Sequence, residues 1–223
     1  MNASSQAMQR DDAQNPGMLW VAEGEQRWRQ PQGRADKSCA SCHGPVASLA
    51  RVATRYPAWD ARGQTPITLA QRIQQCRQQH QQAPALPPES AMLLALEAVV
   101  AHQSRGLPIT PPTDARLDAW RAQGQALYQQ RMGQLNLACA HCHDQLAGGR
   151  LGGAPIVQGH PTGYPLYRLE WQTLGSLPRR VRACMSGVRA EPYAWNAPEL
   201  TALTLYLMQR ASGMPLETPG VRP

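Results

Sequence analysis

Two long apolar segments dominate the pattern of the chain. Residues 89–104 carry Leu93, Leu94, Leu96, Val99 and Val100 with Glu97 as the interruption, and residues 198–212 carry Leu200, Leu203, Leu205, Leu207 and Met208. Both read as helices that end in a capping glycine with a proline soon after, Gly106-Leu107-Pro108-Ile109 and Gly213-Met214-Pro215-Leu216. Shorter mixed segments repeat between them. Gly24-Glu25-Gln26-Arg27-Trp28 precedes Cys39 by 15 residues, and Gly124-Gln125-Ala126-Leu127-Tyr128 precedes Cys139 by 15. Leu69 to Cys76 matches Leu177 to Cys184 at a shift of 108, with leucine, arginine, an aliphatic residue and cysteine coinciding. The pattern predicts one all-α unit used twice in tandem, with long irregular loops and no strand of useful length. The domains are read as 16–110 and 111–223, joined across the Pro-rich stretch Leu107 to Asp114. The polar residues 1–15 are read as a disordered tail.

Composition narrows the classes. Phe is absent and aromatic residues make up 5% of 223 residues, so the side-chain core looks thin and something else is expected to fill it. Mean hydropathy is −0.47. No run of about 18 apolar residues is present, so no membrane-spanning helix is expected. The net charge of +7 suits anionic small molecules and acidic proteins. Lys/Arg runs with interleaved aromatics are missing, and no nucleic-acid partner is expected.

Six cysteines carry the chemistry. Four lie in Cys39-Ala40-Ser41-Cys42-His43 and Cys139-Ala140-His141-Cys142-His143. C-x-x-C-H is the attachment sequence of c-type haem: two thiols add to the vinyl groups and the adjacent histidine ligates the iron. A zinc site, a redox dithiol or a disulfide are the plainer readings. Two copies, each with its histidine, favour two covalent haem c groups, which would also fill the thin core. The fold is then two cytochrome c-type domains. Haem c is attached outside the cytoplasm, so a periplasmic protein is expected. Met1 to Gln14 holds no apolar signal segment, and the chain is read as a mature form with Met1 added or internal.

Each iron then needs a sixth ligand. Met92, Met132, Met185, Met208, Met214, His80, His102 and His160 are available. The repeat favours Cys76 and Cys184, which hold equivalent places; their plainer reading is a disulfide. Around Cys184 the chain is basic. Arg180 falls four residues earlier, on the same helix face, with Arg179, Arg182 and Arg189 nearby. Such guanidinium groups lower a thiol pKa and attract anions, or they pair with haem propionates.

These residues resemble the SoxA family, from Asn15-Pro16-Gly17-Met18-Leu19-Trp20-Val21 through the first haem motif to Cys184-Met185-Ser186-Gly187-Val188-Arg189-Ala190-Glu191-Pro192-Tyr193. The likeness runs from about Asn15 to Pro215 and implies two haems with His/Cys ligation. His43 and Cys76 would ligate the first iron, and His143 and Cys184 the second. Cys184 matches the catalytic, persulfide-type cysteine, and Arg180 the substrate-binding arginine. The implied activity is L-cysteine S-thiosulfotransferase, the oxidative conjugation of thiosulfate to a cysteine of the carrier SoxYZ. The implied partners are a monohaem SoxX-type subunit and a small cytochrome c electron acceptor. A dihaem thiosulfate dehydrogenase making tetrathionate and a plain dihaem electron carrier are the competing readings.

The two motifs make a direct prediction. An intact mass should show two covalent haems, and extra mass equal to sulfur would mark a modified Cys184. A mass with one haem or none would remove the reading.

Overall fold

The computed structural model describes residues 3–223; Met1 and Asn2, part of the expected tail, lie outside the described residues. Its helices in chain order are α1 (Ala3–Arg10), α2 (Met18–Arg29), α3 (Cys39–His43), α4 (Leu69–Cys76), α5 (Ala91–His102), α6 (Asp118–Gln129), α7 (Leu177–Gly187) and α8 (Pro198–Arg210). Its strands are β1 (Ala58–Asp60), β2 (Thr65–Ile67), β3 (Arg150–Leu151), β4 (Ala154–Pro155), β5 (Leu166–Arg168), β6 (Thr173–Gly175) and β7 (Gly220–Arg222).

The two apolar segments are helices, as expected, and each lies against the first long helix of its own half: α5 on α2, and α8 on α6. Both crossings are closed by glycine. A Cβ on Gly24 would stand 2.3 Å from the carbonyl oxygen of Ala95, and one on Gly124 would stand 2.2 Å from that of Ala202. The cores merge. One cluster joins Val21, Trp28, Leu94 and Val99 from the first half to Met208, Ala211 and Leu216 from the second. A helix packed on its own half and on the other has little free face, which explains why α5 reads as apolar all round.

The expectation of an all-α chain is corrected by three small sheets. β1 pairs with β2, β3 with β4, and β5 lies between β6 and β7. The hairpins β1–β2 and β5–β6 share one antiparallel register: Asp60 faces Thr65 and Arg168 faces Thr173, again at a shift of 108. Strands of two or three residues are too short for an alternating pattern to show. Each of the matched hairpins feeds a capped helix. Thr68 Oγ1 accepts from the Gln71 N–H while Gln71 Oε1 accepts from the Thr68 N–H, a capping box that starts α4. Ser176 Oγ accepts from the Arg179 N–H and starts α7.

Two further expectations change. Residues 3–10 of the supposed tail are helical, because α1 docks on β7 through polar groups. Gln9 is buried, and its Oε1 accepts from the Val221 N–H (3.0 Å). Asn15 Nδ2 donates to the Pro219 carbonyl (2.9 Å). The Pro-rich stretch is not a loose spacer either. Ile109 is fully buried, and the two Gly-x-Pro-x segments bond to each other. Gly106 N–H donates to Leu216 O and Gly213 N–H to Ile109 O, both at 2.8 Å, while Ile109 N–H donates to Met214 O and Leu216 N–H to Leu107 O, both at 2.9 Å.

A cavity of about 470 Å³ lies between the halves, lined by equivalent residues from each, among them Tyr56, Leu69, Leu94, Tyr164, Leu177 and Met208. No cysteine lines it and neither motif histidine does, so this cavity is separate from the cysteine motifs. Glu97 faces it, and burial, with Glu89 adding, pushes its carboxyl up to about 8.

The helix crossings are testable. Gly24→Ala and Gly124→Ala each place a methyl group against a rigid carbonyl, so each should cost about 1–3 kcal/mol in denaturant unfolding, as overpacked sites do. Gly187→Ala, where an added Cβ meets nothing within 4 Å, should be nearly neutral.

Candidate functional site

The second cysteine motif, with its neighbour α7, builds the better-defined site. His141 to Gln145 form a single π-helical turn, entered through an Ala138 N–H that donates to His141 Nδ1 (2.8 Å). His143 Nδ1 lies 2.6 Å from the carbonyl oxygen of Val157. A carbonyl can only accept, so Nδ1 carries a proton there, the usual second contact of a ligating histidine. The ring also hydrogen-bonds the Cys184 thiol, and this contact is the main cause that raises the His143 pKa. Burial also raises the Cys139 thiol, to about 11, and Cys184 adds to it. The thiol of α7 therefore stands over the motif, opposite its histidine. Two attachment thiols and two opposed axial donors are the donor set haem c requires. Among the described residues no group of three or more His, Cys, Asp or Glu side chains closes a metal cage, and no disulfide joins any of the six cysteines.

The first motif has the same parts. Cys39, Cys42 and His43 lie on α3, where Ser38 Oγ accepts from the Ser41 N–H (3.0 Å). Trp28 donates from Nε1 to Gly44 O (2.9 Å) and holds its ring 5.8 Å from that of His43. Cys76, the last residue of α4, reaches this motif: burial raises the Cys39 thiol with Cys76 adding to it, and burial raises Cys76 with Cys42 adding to it.

The two distal cysteines differ in charge environment. At Cys76 burial outweighs Arg72 and the pKa rises. At Cys184 burial also acts upward, but the hydrogen bond from His143 and the charges of Arg180, His143 and Arg168 outweigh it, and the pKa falls below 9.0. The contact with His143, which Cys76 lacks, is the larger part of the contrast, and two arginines add to it. Arg72 Nη2 donates to Asp60 Oδ1 (3.1 Å), so its charge is spent in an ion pair. Arg180 has no ion pair among the described residues.

The arginines around Cys184 sort themselves. Arg179 stacks 4.2 Å from the centre of the Trp171 ring and reaches Glu89 at 4.0 Å. Arg182 lies 4.5 Å over Trp195. Of the sequence candidates Arg180 acts most strongly on the Cys184 thiol, and Arg168 on β5 joins it. Arg168 was not visible as a candidate from sequence, although extending the 108-residue shift back from Cys184 through Tyr164-Pro165 and Tyr56-Pro57 aligns it with Asp60. Of the other ligand candidates, Met185 and Met208 are buried in the core, and His160 lies by Arg210 and Asp144.

Comparison with known proteins gives the family. The family model for the SoxA/TsdA cytochrome c domain matches residues 23–109 and again 123–216. The chain is 37% identical over 222 residues to the L-cysteine S-thiosulfotransferase subunit SoxA of Pseudaminobacter salicylatoxidans, covering 99% of this chain and 78% of that protein. It is 34% identical over 219 residues to the same subunit of Rhodovulum sulfidophilum, covering 98% and 76%. The crystal structure of SoxXA from P. pantotrophus superposes with a TM-score of 0.96 at 27% identity, covering 100% of this chain and 84% of that one. Matched twice by the cytochrome c domain model and along nearly its whole length by SoxA subunits, this chain belongs to the SoxA family.

Proposed function

We propose that this chain is the catalytic subunit of a haem-dependent L-cysteine S-thiosulfotransferase, which conjugates thiosulfate oxidatively to a cysteine of a SoxYZ-type carrier. The observation that carries the reading is Cys184: a thiol opposed to a motif histidine, with its pKa lowered and an unpaired arginine beside it. The relatives' name and the pairing of SoxA with SoxX in the superposed structure support it. On this reading the chain works in the periplasm, with a SoxX-type subunit and a small cytochrome c as electron acceptor. Among the described residues no helix is long and apolar enough to cross a membrane. The division into domains 16–110 and 111–223 belongs to the same proposal.

Haem c fits both motifs, attached through Cys39 and Cys42 and through Cys139 and Cys142, with His43, Cys76, His143 and Cys184 as iron ligands; when bound it supplies one-electron acceptors next to the reacting sulfur. The chain's own groups do the rest. Arg180 binds the sulfonate end of the thiosulfate dianion by charge-assisted hydrogen bonds. The sulfur at Cys184, thiolate or persulfide, forms a disulfide bond with the sulfane sulfur of thiosulfate, and two electrons leave. The carrier thiol then attacks that sulfane sulfur, its proton is released, and Cys184 regains its original form. The sum is carrier thiol plus thiosulfate giving carrier S-thiosulfonate, one proton and two electrons.

Variants test this division of labour. Cys184→Ala should abolish conjugation to the carrier, while Cys76→Met should change the spectrum of the first haem and leave substantial turnover. Arg180→Lys should slow conjugation by about 10–150-fold, the loss of one charge-assisted hydrogen bond felt in the transition state. Normal conjugation by Cys184→Ala would refute the reading, and rapid tetrathionate formation without carrier would replace it with a thiosulfate dehydrogenase.

A further inference from the structure

The two halves hold the same hairpin in the same register, followed by the same capped helix, so position 60 corresponds to 168 and position 72 to 180. In the first half the pair is closed. Asp60 is buried, its Oδ1 accepts from Arg72, and its Oδ2 accepts from Gln75 Nε2 (3.0 Å) and the Gly63 N–H (2.9 Å). In the second half the carboxylate is replaced by Arg168, and Gln75 by Ala183, so two guanidinium groups occupy the place of an ion pair. Burial and then the like charge of Arg180 lower the Arg168 pKa, which shows that the two charges feel each other.

Arg168 is held in place rather than neutralised. Its side chain is only 13% exposed. Its Nε donates to the Pro223 carbonyl (2.9 Å), and its guanidinium lies 5.2 Å from the Trp171 ring centre. Its one acidic partner, Glu170 at 3.1 Å, is 65% exposed, and such surface pairs contribute little. Two half-buried cations with no carboxylate between them are costly unless an anion bridges them.

We propose that Arg168 is a second binding residue for the substrate anion: with Arg180 it grips the sulfonate oxygens of thiosulfate and turns the sulfane sulfur toward Cys184. This deepens the proposed function and rests on it. The first half, with Asp60 closing Arg72, excludes such an anion from Cys76. One change of sign in a duplicated pair then separates a site that binds substrate from one that does not.

The test is calorimetric titration of the oxidised haem-loaded complex with sodium thiosulfate, alongside steady-state kinetics. Arg168→Gln should weaken thiosulfate binding about 10–100-fold, the worth of one charge-assisted contact, with the loss appearing in KM. Arg168→Lys should recover part of it. Arg168→Asp, which rebuilds the ion pair of the first half, should remove binding altogether while the haem spectra stay unchanged. If Arg168→Gln binds thiosulfate like the parent while Arg180→Gln does not, the inference fails and the functional reading stands. If Arg168→Gln shifts the haem spectrum or potential without changing thiosulfate affinity, the residue serves a haem propionate and the inference fails. If the parent complex itself binds no thiosulfate, the functional reading fails first.

Discussion

The molecule hangs on two backbone-to-backbone helix crossings. Gly24 lets α2 sink onto the Ala95 carbonyl of α5, and Gly124 does the same for α6 and Ala202 of α8. Close crossing brings the start and the end of each half together and leaves the middle to loop outward. That middle carries the chemistry: a cysteine motif on one side, and on the other a short hairpin feeding a helix that ends in, or contains, a cysteine. The frame is the same in both halves, so differences in function must come from side chains mounted on it.

Those differences are few and electrostatic. Both distal thiols are half-buried, and burial alone would raise both pKa values. The outcome is opposite because Cys184 has the contact with His143 and Cys76 has no such partner, and because Arg72 is matched by Asp60 while Arg180 has no ion pair among the described residues. The surrounding arginines, equal in charge on paper, are unequal in space. Arg179 and Arg182 lie over the rings of Trp171 and Trp195. The strongest arginine effects at the thiol come from Arg180 and Arg168.

Much of this was legible in the chain before any coordinates. The long helices announce themselves because they are apolar on nearly every face. The two C-x-x-C-H motifs stand out as a repeated pair, and the place of Arg180 beside Cys184 follows from helical spacing. What was not legible has a physical reason in each case. The hairpins escape because three residues cannot show an alternation. Helix α1 reads as a polar tail because it is fastened by the amides of Gln9 and Asn15, which composition does not distinguish from solvated ones. Arg168 lies 16 residues from Cys184 on a separate strand. Only the hairpin turns that distance into proximity, and only comparison with Asp60 reveals the sign change.

The four hydrogen bonds between Gly106–Ile109 and Gly213–Leu216 pair each group with the counterpart of its own partner, across a bridge centred on Pro108 and Pro215. That is the pattern of an isologous dimer contact, the same patch meeting itself. Here the two patches belong to one polypeptide. Two separate chains would hold such a contact only above their dissociation constant. Covalent continuity replaces that dependence with a fixed effective concentration, on the order of millimolar for short tethers. The relative placement of the two halves is therefore insensitive to dilution.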